Sequence, residues 1–147
     1  MRILICPDKF RGTATALAAA HAIAEGVSGA ARDTVLIPLA DGGEGTLAAL
    51  GGFNRVSTVS GPLGDPIEAR WRISGRRAVV EMAEASGLLV AGGAEWNDPL
   101  SATTSGTGEL ISEARTAGAK RIVIGVGGSA STDGGLGAIR AMEPLVR

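Results

Sequence analysis

Arg121-Ile-Val-Ile-Gly-Val-Gly-Gly-Ser-Ala-Ser-Thr-Asp-Gly-Gly-Leu-Gly137 is the stretch on which the fold turns. Its apolar opening, Arg121 to Ile124, reads as a short buried strand, and Leu136 to Met142 reads as the start of a helix. Strand, glycine-rich turn and helix in that order are the building unit of α/β proteins. Such a turn presents bare backbone N–H groups beside a positive helix end, which suits a phosphate. Gly127, Gly128, Ser129, Gly134 and Gly135 can form the cradle, Ser131 and Thr132 add hydroxyls, and Asp133 adds a carboxylate. The same glycines suit a tight turn with positive φ. Two readings therefore stand: an enzyme that handles a phosphorylated ligand, and a structural turn.

Upstream, Ser101-Ala-Thr-Thr-Ser-Gly-Thr-Gly108 leads into a helix over Glu109 to Ala117. Thr104, Ser105, Gly106, Thr107 and Gly108 form a second possible phosphate cradle, although Ser or Thr before a helix is also an ordinary N-cap. Ile67, Ala69, Trp71 and Ile73 alternate with Glu68, Arg70 and Arg72, which predicts a half-exposed strand. Ser74-Gly-Arg76 turns that strand back toward Ala78 to Met82, an antiparallel hairpin that implies a mixed sheet. Glu81 and Glu84 fall on one side of a helical turn, where paired carboxylates are expected to be exposed. Phe53 to Val59 reads as a less buried strand, and Val90 to Pro99 as a loop.

The beginning of the chain has a different grammar. Ile3 to Cys6 is an apolar strand closed by Pro7, Ala14 to Glu25 is an alanine-rich helix with Thr13 as its cap, and Thr34 to Ile37 is a second strand. Together they make one βαβ unit. Asp8, Lys9 and Arg11 lie in the loop after the first strand, at the sheet edge where ligands bind in open α/β folds. After the second strand comes Ala40-Asp-Gly-Gly-Glu-Gly-Thr46 and a short helix from Thr46 to Leu50. Asp41 and Glu44 can bind a metal, take a proton or cap backbone N–H groups. Asp-Gly-Gly recurs at positions 133 to 135, the same turn chemistry used twice. Residues 1 to about 60 are expected to form a Rossmann-like portion, with the membership of about 61 to 147 left open.

The 147 residues are 45% hydrophobic but only 3% aromatic, so the core must be built from Ala, Val, Leu and Ile. A net charge of −1, from 14 basic and 15 acidic residues, gives no footprint for nucleic acid or an anionic membrane. Arg70, Arg72, Arg76 and Arg77 read as a solvated strand and turn. Cys6 is the single cysteine, which excludes an intramolecular disulfide and fits a reducing, cytoplasmic setting. It reads as a small buried hydrophobe. His21 has no second histidine to pair with. No apolar stretch reaches the ~20 residues of a membrane span.

Gly-x-x-x-x-Gly-Lys-Ser/Thr is absent, and Gly125 to Ala130 fits Gly-x-Gly-x-x-Gly/Ala only weakly, because no acidic residue at a following strand end completes it. That match is the whole basis for a nicotinamide-dependent oxidoreductase. A more specific resemblance comes from six motifs in order: Pro7-Asp-Lys-Phe-Arg-Gly12, Ala40-Asp-Gly-Gly-Glu-Gly-Thr46, Gly61-Pro-Leu-Gly64, Glu81-Met-Ala83 with Ser86-Gly-Leu88, Thr104-Ser-Gly-Thr-Gly-Glu-Leu-Ile111, and Gly127 to Gly137. The chain resembles the bacterial glycerate kinase family from Ile3 to about Gly137.

The resemblance implies an α/β protein: a Rossmann- or flavodoxin-like parallel sheet with helices, plus part of a second α/β domain with a mixed sheet. It implies ATP-dependent phosphorylation of D-glycerate, to 2-phosphoglycerate in particular, with Mg²⁺. Lys9 and Arg11 would meet the glycerate carboxylate or the transferring phosphoryl oxygens, and Asp8, Asp41 or Asp133 would hold Mg²⁺ or orient the attacking hydroxyl. Gly42, Gly43 and Glu44 join the cradles at 104–108 and 127–135 as substrate- and phosphate-binding residues. Arg11 stands where the family usually has Lys. The family's members are much longer, and Ala138 to Arg147 departs from their pattern. The chain is thus expected to be an incomplete N-terminal part of a two-domain kinase, with a non-catalytic remnant, or a subunit needing a C-terminal partner or an oligomer, as the alternative.

Overall fold

The protein is described by a computed structural model covering residues 1–10, 12–30 and 33–142, which leaves Arg11 outside the described residues. The chain forms two compact units, Met1–Asp41 and Gly42–Arg147. The architecture is α/β, with a parallel sheet in the first unit and a mixed sheet in the second.

The first unit runs β1 (Arg2–Ile5), α1 (Ala16–Gly26), β2 (Asp33–Leu36). The strands pair in parallel, from Arg2 opposite Asp33 to Ile5 opposite Leu36. Alanine sacrifices no side-chain rotamers in a helix, which is why the run from Ala16 to Ala24 forms α1. The cap is Thr15, whose hydroxyl accepts from the Ala18 N–H at 3.1 Å. Thr13, the expected cap, instead donates to the Phe10 carbonyl at 3.0 Å and is spent on the turn before the helix. Cys6 was expected to be buried and is exposed. It follows the last residue of β1, and period-two alternation turns it away from the side where Ile5 is buried.

The second unit is built on a four-stranded sheet in the order β3 (Arg55–Ser60), β4 (Pro66–Ser74), β5 (Arg77–Glu81), β6 (Arg121–Gly125). The first two pairings are antiparallel and the last is parallel. Two short helices, α2 (Thr46–Ala49) and α3 (Ala83–Ser86), and two longer ones, α4 (Ser105–Thr116) and α5 (Leu136–Met142), complete it. The alternation in β4 works as its pattern predicts: Ala69 and Trp71 enter the core, and Ile67 and Ile73 pack against it. Val59, Ala78 and Val80 meet them from the neighbouring strands, and Leu110 and Ala114 of α4 close the layer. Burying Leu110 completely is worth about 2 kcal/mol. Trp71 keeps its indole satisfied by donating to Ser57 Oγ at 2.8 Å, and Ser57 in turn hydrogen-bonds Glu113 on α4.

Candidate functional site

Because β1 and β2 are parallel, both leave the sheet at the same edge. The Leu39 N–H donates to the Pro7 carbonyl at 2.9 Å, which holds the two outgoing segments side by side. Lys9 Nζ and Asp41 Oδ1 then stand 3.5 Å apart. The Lys9 side chain is only 18% exposed, whereas that of Asp41 is 59% exposed. Asp8 is exposed as well, and its Oδ1 accepts the Lys9 backbone N–H at 2.6 Å, which fixes the loop carrying the lysine.

In the second unit, three loops interlock at the carboxyl ends of β5 and β6. The Gly127 N–H donates to the Gly42 carbonyl at 2.8 Å, the Met82 N–H to the Gly125 carbonyl at 2.9 Å, and the Leu88 N–H to the Gly128 carbonyl at 2.8 Å. A Cβ on Gly127 would lie 2.6 Å from the Gly43 backbone, and one on Gly128 would lie 2.6 Å from Glu44 Oε1. These glycines therefore permit the close approach of one loop to another.

Glu81, at the last position of β5, ties this arrangement together. It was expected to be exposed and is 3% exposed. Its carboxylate accepts from the Leu47 N–H at 2.7 Å and the Gly45 N–H at 3.2 Å, satisfying the start of α2. Burial pushes its carboxyl above the ordinary carboxylate range, opposed by those two hydrogen bonds and reinforced by Glu84 and Glu44. Glu84 departs from expectation too: Arg70 holds it through two side-chain bonds of 2.6 and 2.7 Å. The signal for Glu81 was present in the sequence. A carboxylate inside the otherwise apolar Ala78-Val-Val-Glu-Met-Ala83 lies in a run with the pattern of a strand buried on both faces, and a buried carboxylate needs donors.

Asp133 is more fully engaged still. Its Oδ2 accepts from the Thr104 N–H, the Thr104 hydroxyl and the Gly137 N–H at 2.9, 2.8 and 3.1 Å. Its Oδ1 accepts from the Gly135 N–H at 2.9 Å and the Ser131 hydroxyl at 3.2 Å. Burial alone would raise this carboxyl, but the donors from Thr104, Gly135 and Gly137 outweigh it and lower it to about 2. One carboxylate thus serves the N-termini of both α4 and α5.

Thr104, Gly106, Thr107 and Gly108 are buried, while Ser105 is half-buried. A Cβ on Gly106 would collide with the Ser60 carbonyl, and one on Gly108 with the Ala138 carbonyl. The Thr107 hydroxyl is paired with that of Ser86 at 2.8 Å. This segment is filled by its own protein. In the 127–135 turn, by contrast, Ser129 and Gly134 are exposed. A cleft of about 550 Å³ beside the interlocked loops is lined by Glu44, Glu68, Glu81, Glu84 and Arg70 with apolar neighbours such as Phe53. Its four carboxylates disfavour an anionic ligand.

The residues of the chain match a family model described as the glycerate kinase family over residues 3–144. The chain is 46% identical over 150 residues to the glycerate 2-kinase of Escherichia coli K12, covering 97% of the chain and 39% of that protein. A glycerate kinase from Bacillus subtilis 168 is likewise 46% identical, with the same shares covered. A crystal structure described as glycerate kinase 2 from Salmonella typhimurium LT2 superposes with a TM-score of 0.74 at 44% identity, over 96% of this chain and 40% of that one. The chain therefore spans about two fifths of the length of these relatives.

Proposed function

Because the chain belongs to the glycerate kinase family, we propose that it serves the ATP-dependent transfer of a phosphoryl group to D-glycerate, giving 2-phosphoglycerate, as the N-terminal part of a two-domain kinase. The observation that carries the reading is the Lys9–Asp41 pair at the outgoing edge of the parallel strands. Phosphoryl transfer asks a protein for positioning and charge neutralisation more than for covalent chemistry. The Lys9 ammonium is held in place by its loop and by Asp41, so it can meet an anionic oxygen of glycerate or of the transferring group without first being ordered. Arg11, two residues on in sequence, is assigned to the same oxygens by residue type alone, as a planar guanidinium.

Among the described residues, no three His, Cys, Asp or Glu side chains gather into a metal-holding group. Mg²⁺ does not require one, since it is commonly held by one or two carboxylates together with substrate phosphate and water. Asp41 fits that role because its carboxylate is largely exposed, and Asp8 is the second choice. Asp133 does not fit, since five donors occupy its two oxygens. When bound with ATP, Mg²⁺ would neutralise charge on the phosphates. We assign Asp133 to positioning the turn that exposes Ser129 and Gly134, and assign those two to phosphate oxygens. The glycines at 106 and 108 support packing in this scheme.

A coupled ADP-release assay on the 147-residue chain with D-glycerate, ATP and Mg²⁺ tests the reading. Glycerate-dependent turnover is the expected result. The share of the relatives' length that is covered supports a second reading, a chain active only with a partner that supplies the remaining length. Turnover that appears only on adding a separately made C-terminal portion of a relative would select it. No turnover under either condition, alongside an active full-length relative, would leave a non-catalytic remnant.

A further inference from the structure

At the pole of the mixed sheet opposite the interlocked loops, four cations converge. Arg76 and Arg77 come from the β4–β5 hairpin, and Lys120 and Arg121 from the entry to β6. Arg77 and Arg121 are 44 positions apart in sequence, yet the two are direct partners in the parallel ladder, so they project to one side of the sheet. The Arg76 carbonyl accepts both the Lys120 N–H at 2.8 Å and the Arg121 N–H at 3.1 Å, which fixes the second pair against the first. Together with Ser74 they line an open cleft of about 550 Å³ that has no carboxylate in its wall.

Like charges set directly opposite each other on neighbouring strands destabilise a sheet. Two arginines elsewhere in the chain are matched: Arg2 pairs with Asp33, and Arg70 with Glu84. Among the described residues, none of these four makes an ion pair. A second cleft of about 270 Å³ shares Ser74 and Arg77 with the first and adds Arg72 beside the apolar side chains of Leu50 and Val79. The arrangement offers a dense positive field on a fixed frame, continued by a partly apolar floor.

We propose that this pole is a binding site for a small organic polyanion carrying at least two adjoining phosphate or carboxylate charges, at the opposite end of β5 and β6 from Ser129 and Gly134. The charged end lies among Arg76, Arg77, Lys120 and Arg121, and the carbon body extends toward Leu50 and Val79. Guanidinium groups match phosphate oxygens as bidentate donors, and the anion relieves the repulsion between the paired arginines. Strands β5 and β6 begin at this pole and end at the loops carrying Glu81 and Gly125, so occupancy here leaves the far edge open.

Inorganic pyrophosphate titrated into the 147-residue chain at physiological salt, read by calorimetry and by backbone amide shifts, tests the site. One saturable site is expected, with shifts centred on Arg77 and Arg121 and binding about tenfold weaker in each of Arg77→Gln and Arg121→Gln. Lys120→Gln removes a single exposed charge and is expected to weaken binding by about threefold, a variant that keeps the question answerable if the arginine variants fold poorly. ADP and 2-phosphoglycerate titrated in the same way distinguish a nucleotide from a phosphorylated hydroxy acid, and tighter binding of either at the same residues supports the site. Absence of saturation up to about 10 mM pyrophosphate would overturn it. So would saturation that all three variants leave intact, with shifts centred on Lys9 or Ser129.

Discussion

Asp41-Gly-Gly43 and Asp133-Gly-Gly135 have the same three residues in the same kind of place, a turn leading toward a helix, but the two aspartates are used differently. Asp133 is closed in by five donors from Thr104, Ser131, Gly135 and Gly137. Asp41 lies 59% exposed beside Lys9. The difference arises from what caps the following helix. Helix α5 begins directly after Gly135 and draws on Asp133, whereas the start of α2 is satisfied by Glu81 arriving from β5. With its helix capped from elsewhere, Asp41 is not drawn into that cap and stands beside Lys9 instead. A turn motif sets the backbone path, and the surrounding donors decide how its carboxylate is engaged.

The strongest way to break this contrast is to remove the exposed carboxylate where turnover can be measured. In a full-length relative, the change corresponding to Asp41→Asn is expected to lower kcat by about 10²- to 10³-fold, the scale of losing one group that orients reactants or charge. The melting temperature should move by no more than about 1 °C, because solvent screens the 59% exposed Asp41 side of the pair. A variant with full turnover per folded molecule would remove Asp41 from the machinery, and a large drop in melting temperature would make it a second Asp133.

Glycines sharpen the contrast at the next level of effect. Gly106→Ala places a Cβ into the Ser60 carbonyl, within a helix that cannot retreat because Ala138 presses on Gly108 from another side. A loss of about 3 kcal/mol or more in urea unfolding is expected. A small loss would mean that α4 shifts easily, and the segment from Thr104 to Gly108 would again be open to a phosphate.

The Asp133 substitution comes next. Asp133→Ala strands N–H groups at the starts of two helices and is expected to cost about 2–3 kcal/mol in urea unfolding. The same carboxyl predicts an acid limb. Its pKa is lowered from 3.8 to about 2 in the folded protein, so its contribution is complete above the unfolded value and is lost as pH falls through the folded one. After allowance for its partial exposure, about 1 kcal/mol should disappear between roughly pH 4 and pH 2. Asp133→Ala should lack that part of the decline, which parallel unfolding curves would reveal.

Much of this molecule is legible in its sequence, and the departures share a cause. Alternation from Ile67 to Ile73 located both the strand and its buried face, and the alanine run after Thr15 located the first helix, because hydrophobic periodicity and helix propensity are local properties. What glycine is for is not local. At 106 and 108 it lets β3 and α5 come near, at 127 and 128 it lets the loop of Gly43 and Glu44 come near, and sequence alone cannot tell this from a bare backbone awaiting phosphate. The exposure of Cys6 and the choice of Thr15 over Thr13 depended on where one strand and one turn ended, a matter of a residue or two. Convergence of Arg77 and Arg121 required knowing that β5 and β6 are neighbours.

Glu81 supplies the smallest and most diagnostic test, because the comparison of the two aspartates depends on it. Its raised pKa means that ionising the buried carboxyl costs stability. That penalty is absent below the ordinary glutamate value and complete once pH exceeds the raised folded value, so the wild type pays it near neutrality. Glu81→Gln removes the penalty. It keeps one carbonyl oxygen for the Leu47 N–H at 2.7 Å and sacrifices the longer bond from Gly45 at 3.2 Å. The gain and the loss are opposed, so only a small net change in stability is expected at pH 7. As pH falls toward the ordinary glutamate range, the wild type sheds its penalty and the balance should move in its favour. A loss of several kcal/mol that does not vary with pH would show that α2 needs the negative charge itself. The capping of α2 by Glu81 would then rest on electrostatics at the helix terminus, and not on two satisfied N–H groups.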